Sequence, residues 1–489
     1  MKITKPFCKS DPRRQTLLLL AVLLAASVTA CASNDSTDPI PTTAQTAATE
    51  HVETIDPFYT TNLAVRDFAG AEFVIASSDN PNIHGSTVPD AETGETLNDA
   101  LYKRNQNIEE TYHVDLTEFV YDHTNAGILR TSVLAGEDAY DLIMLTCPDA
   151  LTWWKEELLT PIDQLPNINF EKGYWDQNLN NSLSIGGVRY IAEGAFNLDI
   201  YDLTFCLLFN KSVANQFNIG NLYQTVSDGA WTFDTMRTAM LAVAGDVNGD
   251  GKMDDADRWG YTSHPKMVAP GFWIGGGVTS ISKDENDLPY NSMTESTFLS
   301  VWDSIFNVIH DTGAAYLTEG DQMDIPTECR LIFEEDRALF IDMSFFYIDT
   351  MRGMDTDFGI IPYPKYEESQ QDYHARVCYY FPVVVPVTNA DTDMTGYMLE
   401  VLNYHSYHDV IPAYYDVALK TKGARDEESA AMLDLIFKAR VIDIGDSTLC
   451  DVIRDNFIYQ QMKNNKRDLA STVARQEKTI AKRLNVLTQ

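Results

Sequence analysis

Positive charge is scarce in this chain. Its 489 residues carry 36 Lys and Arg against 72 Asp and Glu, a formal net charge of −36 at pH 7. A protein this acidic gains no affinity by neutralising phosphates, so nucleic acid is not an expected partner, and an anionic lipid surface repels it. Its 7 cysteines include no Cys-x-x-Cys pair. Cys147, Cys206, Cys329, Cys378 and Cys450 stand in the body of the chain, an odd set at irregular spacing, which argues against a disulfide framework or a thiolate metal site. Their flanks are mostly apolar (Phe205-Cys206-Leu207), the setting of small buried hydrophobes. A Walker loop, GxGxxG, GxSxG and HExxH are all missing, and with them the signatures of nucleotide binding, α/β-hydrolase catalysis and zinc proteolysis. No apolar run reaches the roughly 20 residues of a membrane span.

What is present begins with the leader. Lys2, Lys5, Lys9, Arg13 and Arg14 form a basic head, Leu17 to Leu24 an apolar run, and small residues lead to Val28-Thr29-Ala30-Cys31. That order is a secretory signal peptide. Its end resembles the bacterial lipobox, in which the signal is cut before the cysteine and the cysteine is diacylated. The expectation is a signal peptide over 1–30, a lipid anchor on Cys31, and an extracytoplasmic chain held at the cell membrane. An Ala/Ser/Thr/Pro-rich flexible spacer over 31–60 follows.

Beyond the spacer, strand-like runs (72–77, 114–120, 141–145) alternate with helical stretches (97–111, 126–135), the pattern of a parallel α/β sheet. Ligands on such sheets bind beyond the carboxyl ends of strands. Ser77, Ser78 and Asn80 after the first strand and Pro148 and Asp149 after the third are therefore placed to line a cleft, Ser77 and Asp149 as candidate ligand contacts. An apolar strand at 203–209 is followed by a restart of the alternation through 233–244, 259–262, 296–311, 337–343 and 358–362, which implies a second lobe. The last helix spaces Leu469, Val473, Ile480, Leu484 and Leu487 at helical period, as a helix packed on a lobe does.

One loop carries a metal pattern. In Asp246-Val-Asn248-Gly-Asp250-Gly251-Lys252-Met253-Asp254-Asp-Ala-Asp257, oxygen donors fall at positions 1, 3, 5, 9 and 12 of a calcium loop. Gly251 stands at the sharp turn, and the Lys252 carbonyl is available at position 7. Asp257 replaces the usual bidentate Glu. The expected ligands of a structural Ca²⁺ are Asp246, Asn248, Asp250, Lys252, Asp254 and Asp257. A strand-like run follows in place of a second helix, so the loop is half an EF-hand, which suits a clamp better than a switch. Aromatics beside turn residues (Trp175, Tyr201, Trp273, Phe345, Tyr380) are candidates for stacking on sugar rings.

The order of several segments resembles the extracellular solute-binding lipoproteins of bacterial ABC importers, the maltose-binding-like group. It rests on Leu159-Thr-Pro161-Ile-Asp163-Gln-Leu165-Pro166, Leu208-Phe209-Asn210-Lys211, Gly229-Ala-Trp231-Thr232 and the Asp246 loop before Trp259-Gly260-Tyr261. It continues in Arg337-Ala-Leu-Phe340, Asp357-Phe-Gly359-Ile-Ile-Pro362-Tyr-Pro364-Lys365-Tyr366 and Pro412-Ala-Tyr414-Tyr415-Asp416. The resemblance implies a two-lobed α/β fold of the periplasmic-binding-protein-like (type II) kind, with crossing hinge strands near Ile200, near Tyr380 and after His405. Lobe 1 would comprise 61–200 and 377–406, lobe 2 201–376 and 407–489. It further implies a non-enzymatic protein that traps a small solute, most often a sugar, by hinge closure and presents it to ABC permease subunits. A surface carbohydrate-active hydrolase and a receptor for a sensor kinase are the alternatives.

Overall fold

The computed structural model describes residues 56–84, 86–318, 327–420 and 427–487. The signal peptide, Cys31 and most of the spacer lie outside the described residues. Nine strands build the two main sheets. They are β1 (Ala71–Ser78), β2 (Val114–Tyr121), β3 (Leu142–Met144), β4 (Phe205–Asn210), β5 (Trp259–Ser263), β6 (Ala315–Leu317), β7 (Ala338–Ser344), β8 (Phe358–Ile361) and β9 (Val383–Val384).

The first sheet has the order β2-β1-β3-β9 and the second β6-β5-β7-β4-β8. In the first, β1 runs parallel to β2 and β3, while β9 lies antiparallel to β3. In the second, β5 runs parallel to β6 and β7, and β4 lies antiparallel to β7 and β8. The two lobes thus repeat one plan. In each, the antiparallel strand beside the three parallel ones is the strand by which the chain enters from the other lobe. Leu142, Ile143 and Met144 are buried on both faces of the first sheet, as central parallel strands require. The helices between strands bury one apolar face. Helix Phe233–Val243 begins at Thr232, whose Oγ1 accepts from the Thr235 N–H at 3.3 Å, and buries Phe233, Met236, Met240 and Val243.

The crossing segments lie side by side. Thr204 and Val377 form an antiparallel bridge, the Cys378 N–H donates to the Leu203 carbonyl at 3.3 Å, and Ala375–Arg376 pairs in parallel with Arg440–Val441. The first two crossings fall close to the expected Ile200 and Tyr380. The third does not fall after His405. Helix Thr392–His405 continues through a π-helical turn, Ser406–Val410, into helix Ile411–Lys420, which packs on the first-lobe helix Thr96–Tyr112. Buried Arg104 fixes the turn by donating to Ser406 Oγ at 2.9 Å. Residues 407–420 therefore stay with the first lobe, which corrects the boundary expected at 406/407. The C-terminal helix Leu469–Leu484 buries Leu469, Val473, Ile480 and Leu484 in the second-lobe core.

Candidate functional site

Both sheets direct the carboxyl ends of their parallel strands at one cavity of about 360 Å³. The first lobe contributes Asn80 and Asn82 beyond β1, His123 beyond β2, and Thr146, Cys147 and Pro148 beyond β3. The second contributes Ser263 and His264 beyond β5, and Asp342, Ser344 and Tyr347 at the end of β7. Leu203, Phe205 and Tyr379 to Phe381 of the crossing segments form its floor. Tyr347 Oη donates to Asn82 Oδ1 at 2.7 Å, joining the lobes across the cavity.

Two hydroxyls on this wall stand out. Ser344 and Tyr380 are each 1 % exposed; Ser344 Oγ has no hydrogen-bond partner among the described residues, and Tyr380 Oη has only the weakly bonding Cys147 thiol beside it. Leaving a buried polar group unpaired costs about 1–3 kcal/mol, which a ligand recovers by bonding to it. Burial pushes the Asp342 carboxyl above its ordinary pKa, with hydrogen bonds from Ser263 and Tyr363 opposing the shift. The Tyr363 bond measures 2.8 Å. No Lys or Arg is among the described lining residues, so the wall offers no countercharge to an anion. Tyr379 holds a left-handed backbone (φ +67°) with its ring 4.3 Å from the Arg454 guanidinium. Such strain persists only where the surroundings over-determine it.

Of the residues placed at the cleft from sequence, Asn80, Pro148 and Tyr380 line the cavity. Ser77, Asp149 and Phe345 do not, although Cys147, Pro148 and Ser344 beside them do. Asp149 sits in the first turn of helix Cys147–Lys155, where its carboxylate accepts from Thr146 Oγ1 at 2.6 Å. Trp175 and Trp273 are core residues. Their indole N–H groups donate to Glu400 and Asp443, each at 2.9 Å. Tyr201 packs under Arg440, away from the cleft. Asn82, His123, Ser263, His264, Ser344 and Tyr347 were not nominated. Extending the strand-end rule from β1 and β3 to β5 and β7 would have found Ser263, His264 and Ser344.

The Asp246 loop has the internal bonding that a calcium loop needs. Gly251 N–H donates to Asp246 Oδ2 (2.8 Å), Asp250 N–H to Asn248 Oδ1 (2.9 Å) and Lys252 N–H to Asp250 Oδ1 (2.8 Å). Gly249 and Gly251 have φ of +76° and +80°, where side chains are strained. Asp257 behaves differently. Its Oδ1 accepts from Val247 N–H (2.9 Å) and its Oδ2 from Asp254 N–H (3.0 Å), and these backbone bonds hold its carboxyl below the ordinary range. No three carboxylates of the loop converge within 4.8 Å. Among the described residues only Asp79, Asp122 and His123 do so, at the cleft rim. Asp246 and Asp257 both accept from the loop's own amides, Asp246 from Gly249 and Gly251 and Asp257 from Val247 and Asp254.

No protein-family model matches the sequence, and no curated protein matches it. Solved structures do. The sugar-binding protein MalE from Xanthomonas citri is 10 % identical, with a TM-score of 0.57 over 85 % of this chain and 98 % of that one. The cyclic alpha-maltosyl-1,6-maltose binding protein from Arthrobacter globiformis is 11 % identical, with a TM-score of 0.57 over 85 % and 99 %. The ABC substrate-binding protein Lmo0181 from Listeria monocytogenes, solved with cycloalternan, is 10 % identical, with a TM-score of 0.54 over 85 % and 99 %. With the strand orders above, these likenesses establish a two-lobed, periplasmic-binding-protein-like type II fold.

Proposed function

We propose that this chain is the extracytoplasmic substrate-binding protein of an ABC importer, and that it captures an uncharged saccharide between its lobes. The observation that carries this reading is the interlobe cavity, where Ser344 Oγ is buried without a partner among the described residues, Tyr380 Oη meets only the Cys147 thiol, and no described lining residue is Lys or Arg. Hydroxyl-rich, neutral ligands suit such a wall, and the proteins of like fold named above bind sugars. Asp342 is the only Asp or Glu among the described lining residues. A glycosidase needs two carboxyl groups at defined separation, so capture rather than hydrolysis is the chemistry the cavity supports. Ligand binding between the lobes favours the closed state by its differential affinity.

In this reading Cys31 carries the lipid anchor, and the spacer lets the lobes search for permease subunits near the membrane. The Asp246 loop takes a structural Ca²⁺ through Asp246, Asn248, Asp250, Asp254 and the Lys252 carbonyl, with Asp257 bracing the loop. The test is a thermal-shift screen against neutral sugars, amino acids and short peptides, with chromatography of the incubated sugars. A melting temperature raised by at least one sugar and by no peptide, with the sugar recovered intact, is the expected result. Cleaved sugar would overturn the reading, as would stabilisation by peptides alone.

A further inference from the structure

A second concave surface shares no lining residue with the interlobe cleft and encloses about 660 Å³. Its described lining carries seven aromatic side chains: Tyr59, Tyr407 and Tyr415 at the surface, with Tyr174, Trp175, Tyr201 and Phe437 buried behind them. Tyr59 stacks on Tyr407 with ring centres 4.8 Å apart and planes 10° from parallel. Tyr201 and Tyr415 meet Phe437 edge-on at 5.1 and 5.4 Å. Tyr59, Tyr407 and Tyr415 are half-buried, so part of each ring remains open to solvent.

Arg440 crosses this surface with its side chain only 7 % exposed. Its Nη2 pairs with Asp176 Oδ2 at 2.7 Å, and its guanidinium lies 4.2 Å from the centre of the Tyr201 ring. Apart from the Tyr201 side chain, which shares a hydrogen bond with the guanidinium, its Nε and Nη1 donors have no partner among the described residues. Burying unpaired guanidinium donors is costly, and a ligand oxygen placed beside them removes that cost. Charge around the groove is balanced, Asp176 and Asp434 facing Lys438 and Arg440, so an ionic ligand of either sign gains little.

We infer that this groove is a second binding site, for a neutral oligosaccharide, separate from the cleft. A pyranose ring offers an apolar C–H face to the tyrosines and hydroxyl or ring oxygens that accept from Arg440 Nε and Nη1. Trp175 and Tyr201, nominated for sugar stacking, are buried behind these tyrosines and not in the cleft. One wall belongs to the first described segment, since His408 Nε2 bonds the Tyr59 carbonyl at 2.8 Å and Lys172 Nζ donates to the Pro57 carbonyl at 2.9 Å.

The test is affinity electrophoresis of the full chain through gels containing soluble starch, xylan, glucomannan or galactan, with polyglutamate as the charged control. Wild type is compared with Tyr407→Ala/Tyr415→Ala, with Arg440→Lys, and with the cleft variant Ser344→Ala/Tyr380→Phe, all checked for native circular dichroism. Arg440→Lys keeps the charge opposite Asp176 but loses the planar fork. Retardation by at least one polysaccharide is expected, weakened about tenfold or more in both groove variants and unchanged in the cleft variant. Retardation by polyglutamate alone, by no polysaccharide, or equally in wild type and groove variants would overturn the second site. Loss in the cleft variant alone would also overturn it while leaving the cleft as the saccharide site.

Discussion

Three buried charges meet beneath the crossing segments. Asp446 accepts from Arg376 Nε at 2.5 Å and Nη2 at 2.9 Å, and from Arg454 Nη1 at 3.1 Å, with all three side chains fully buried. Burial disfavours the charge on Asp446, but the two guanidiniums outweigh it and hold its carboxyl below the ordinary range. Replacing Asp446 with Asn strands buried Arg376, while Arg454 keeps Asp455, so urea unfolding is expected to show a loss of about 3–5 kcal/mol; a loss under about 1 kcal/mol would mean the cluster is not buried as described. At Tyr379 the left-handed backbone reverses a familiar preference. With the ring removed from both variants, Tyr379→Gly is expected to be more stable than Tyr379→Ala by about 1 kcal/mol. Equal stabilities would contradict the strain. Asp141 has the opposite behaviour to Asp446. Burial raises its carboxyl to about 6 against hydrogen bonds from Val74 and Asn389. Its folded pKa exceeds its unfolded value, so its contribution to stability is complete below about pH 4 and lost as pH rises through about 6. The wild-type melting temperature should fall relative to that of Asp141→Asn across this window and run parallel to it above; an offset independent of pH would contradict the shift.

At the scale of elements, local chemistry in the sequence marks out most strands and helices. The alternation of apolar strands with amphipathic helices from 72 to 145 and its restart at 203 predict two lobes, and β1 to β5, β7 and β8 occupy those positions, whereas the three-residue β6 carries no such signal. Thr232 caps its helix as its place before Phe233 implies. The side chains that face the cleft are less legible. Trp175 and Trp273 stand beside turn residues, as binding aromatics do, yet each donates to a carboxylate 225 or 170 residues away. Those partners meet only in the folded state. Nor does any residue break the helical pattern at His405; the chain passes through a π turn there and remains on the first lobe. The Asp246 loop is the reverse case, because one short segment contains its whole donor set. EDTA is expected to lower the melting temperature of wild type and leave Asp246→Ala/Asp250→Ala unaffected, with excess Ca²⁺ restoring the former. No response of wild type to EDTA would remove the ion from the account.

On the scale of the whole molecule, three adjacent hinge segments connect two sheets of like plan, and the cavity lies at the carboxyl ends of both. Neither lobe alone contains the site, because Asn82 and Tyr347 reach it from opposite sides. Acidic groups dominate the composition, and no Lys or Arg stands among the described residues of the cleft wall to meet an anion. The most direct test is isothermal titration of neutral mono- to tetrasaccharides, and of the matching uronates, into wild type and Ser344→Ala/Tyr380→Phe. The account predicts that at least one neutral sugar binds with a Kd of about 1 µM to 1 mM, that its uronate counterpart binds more weakly, and that the double variant loses about tenfold or more. Binding of uronates in preference to neutral sugars, or neutral-sugar binding undiminished in the double variant, would contradict it.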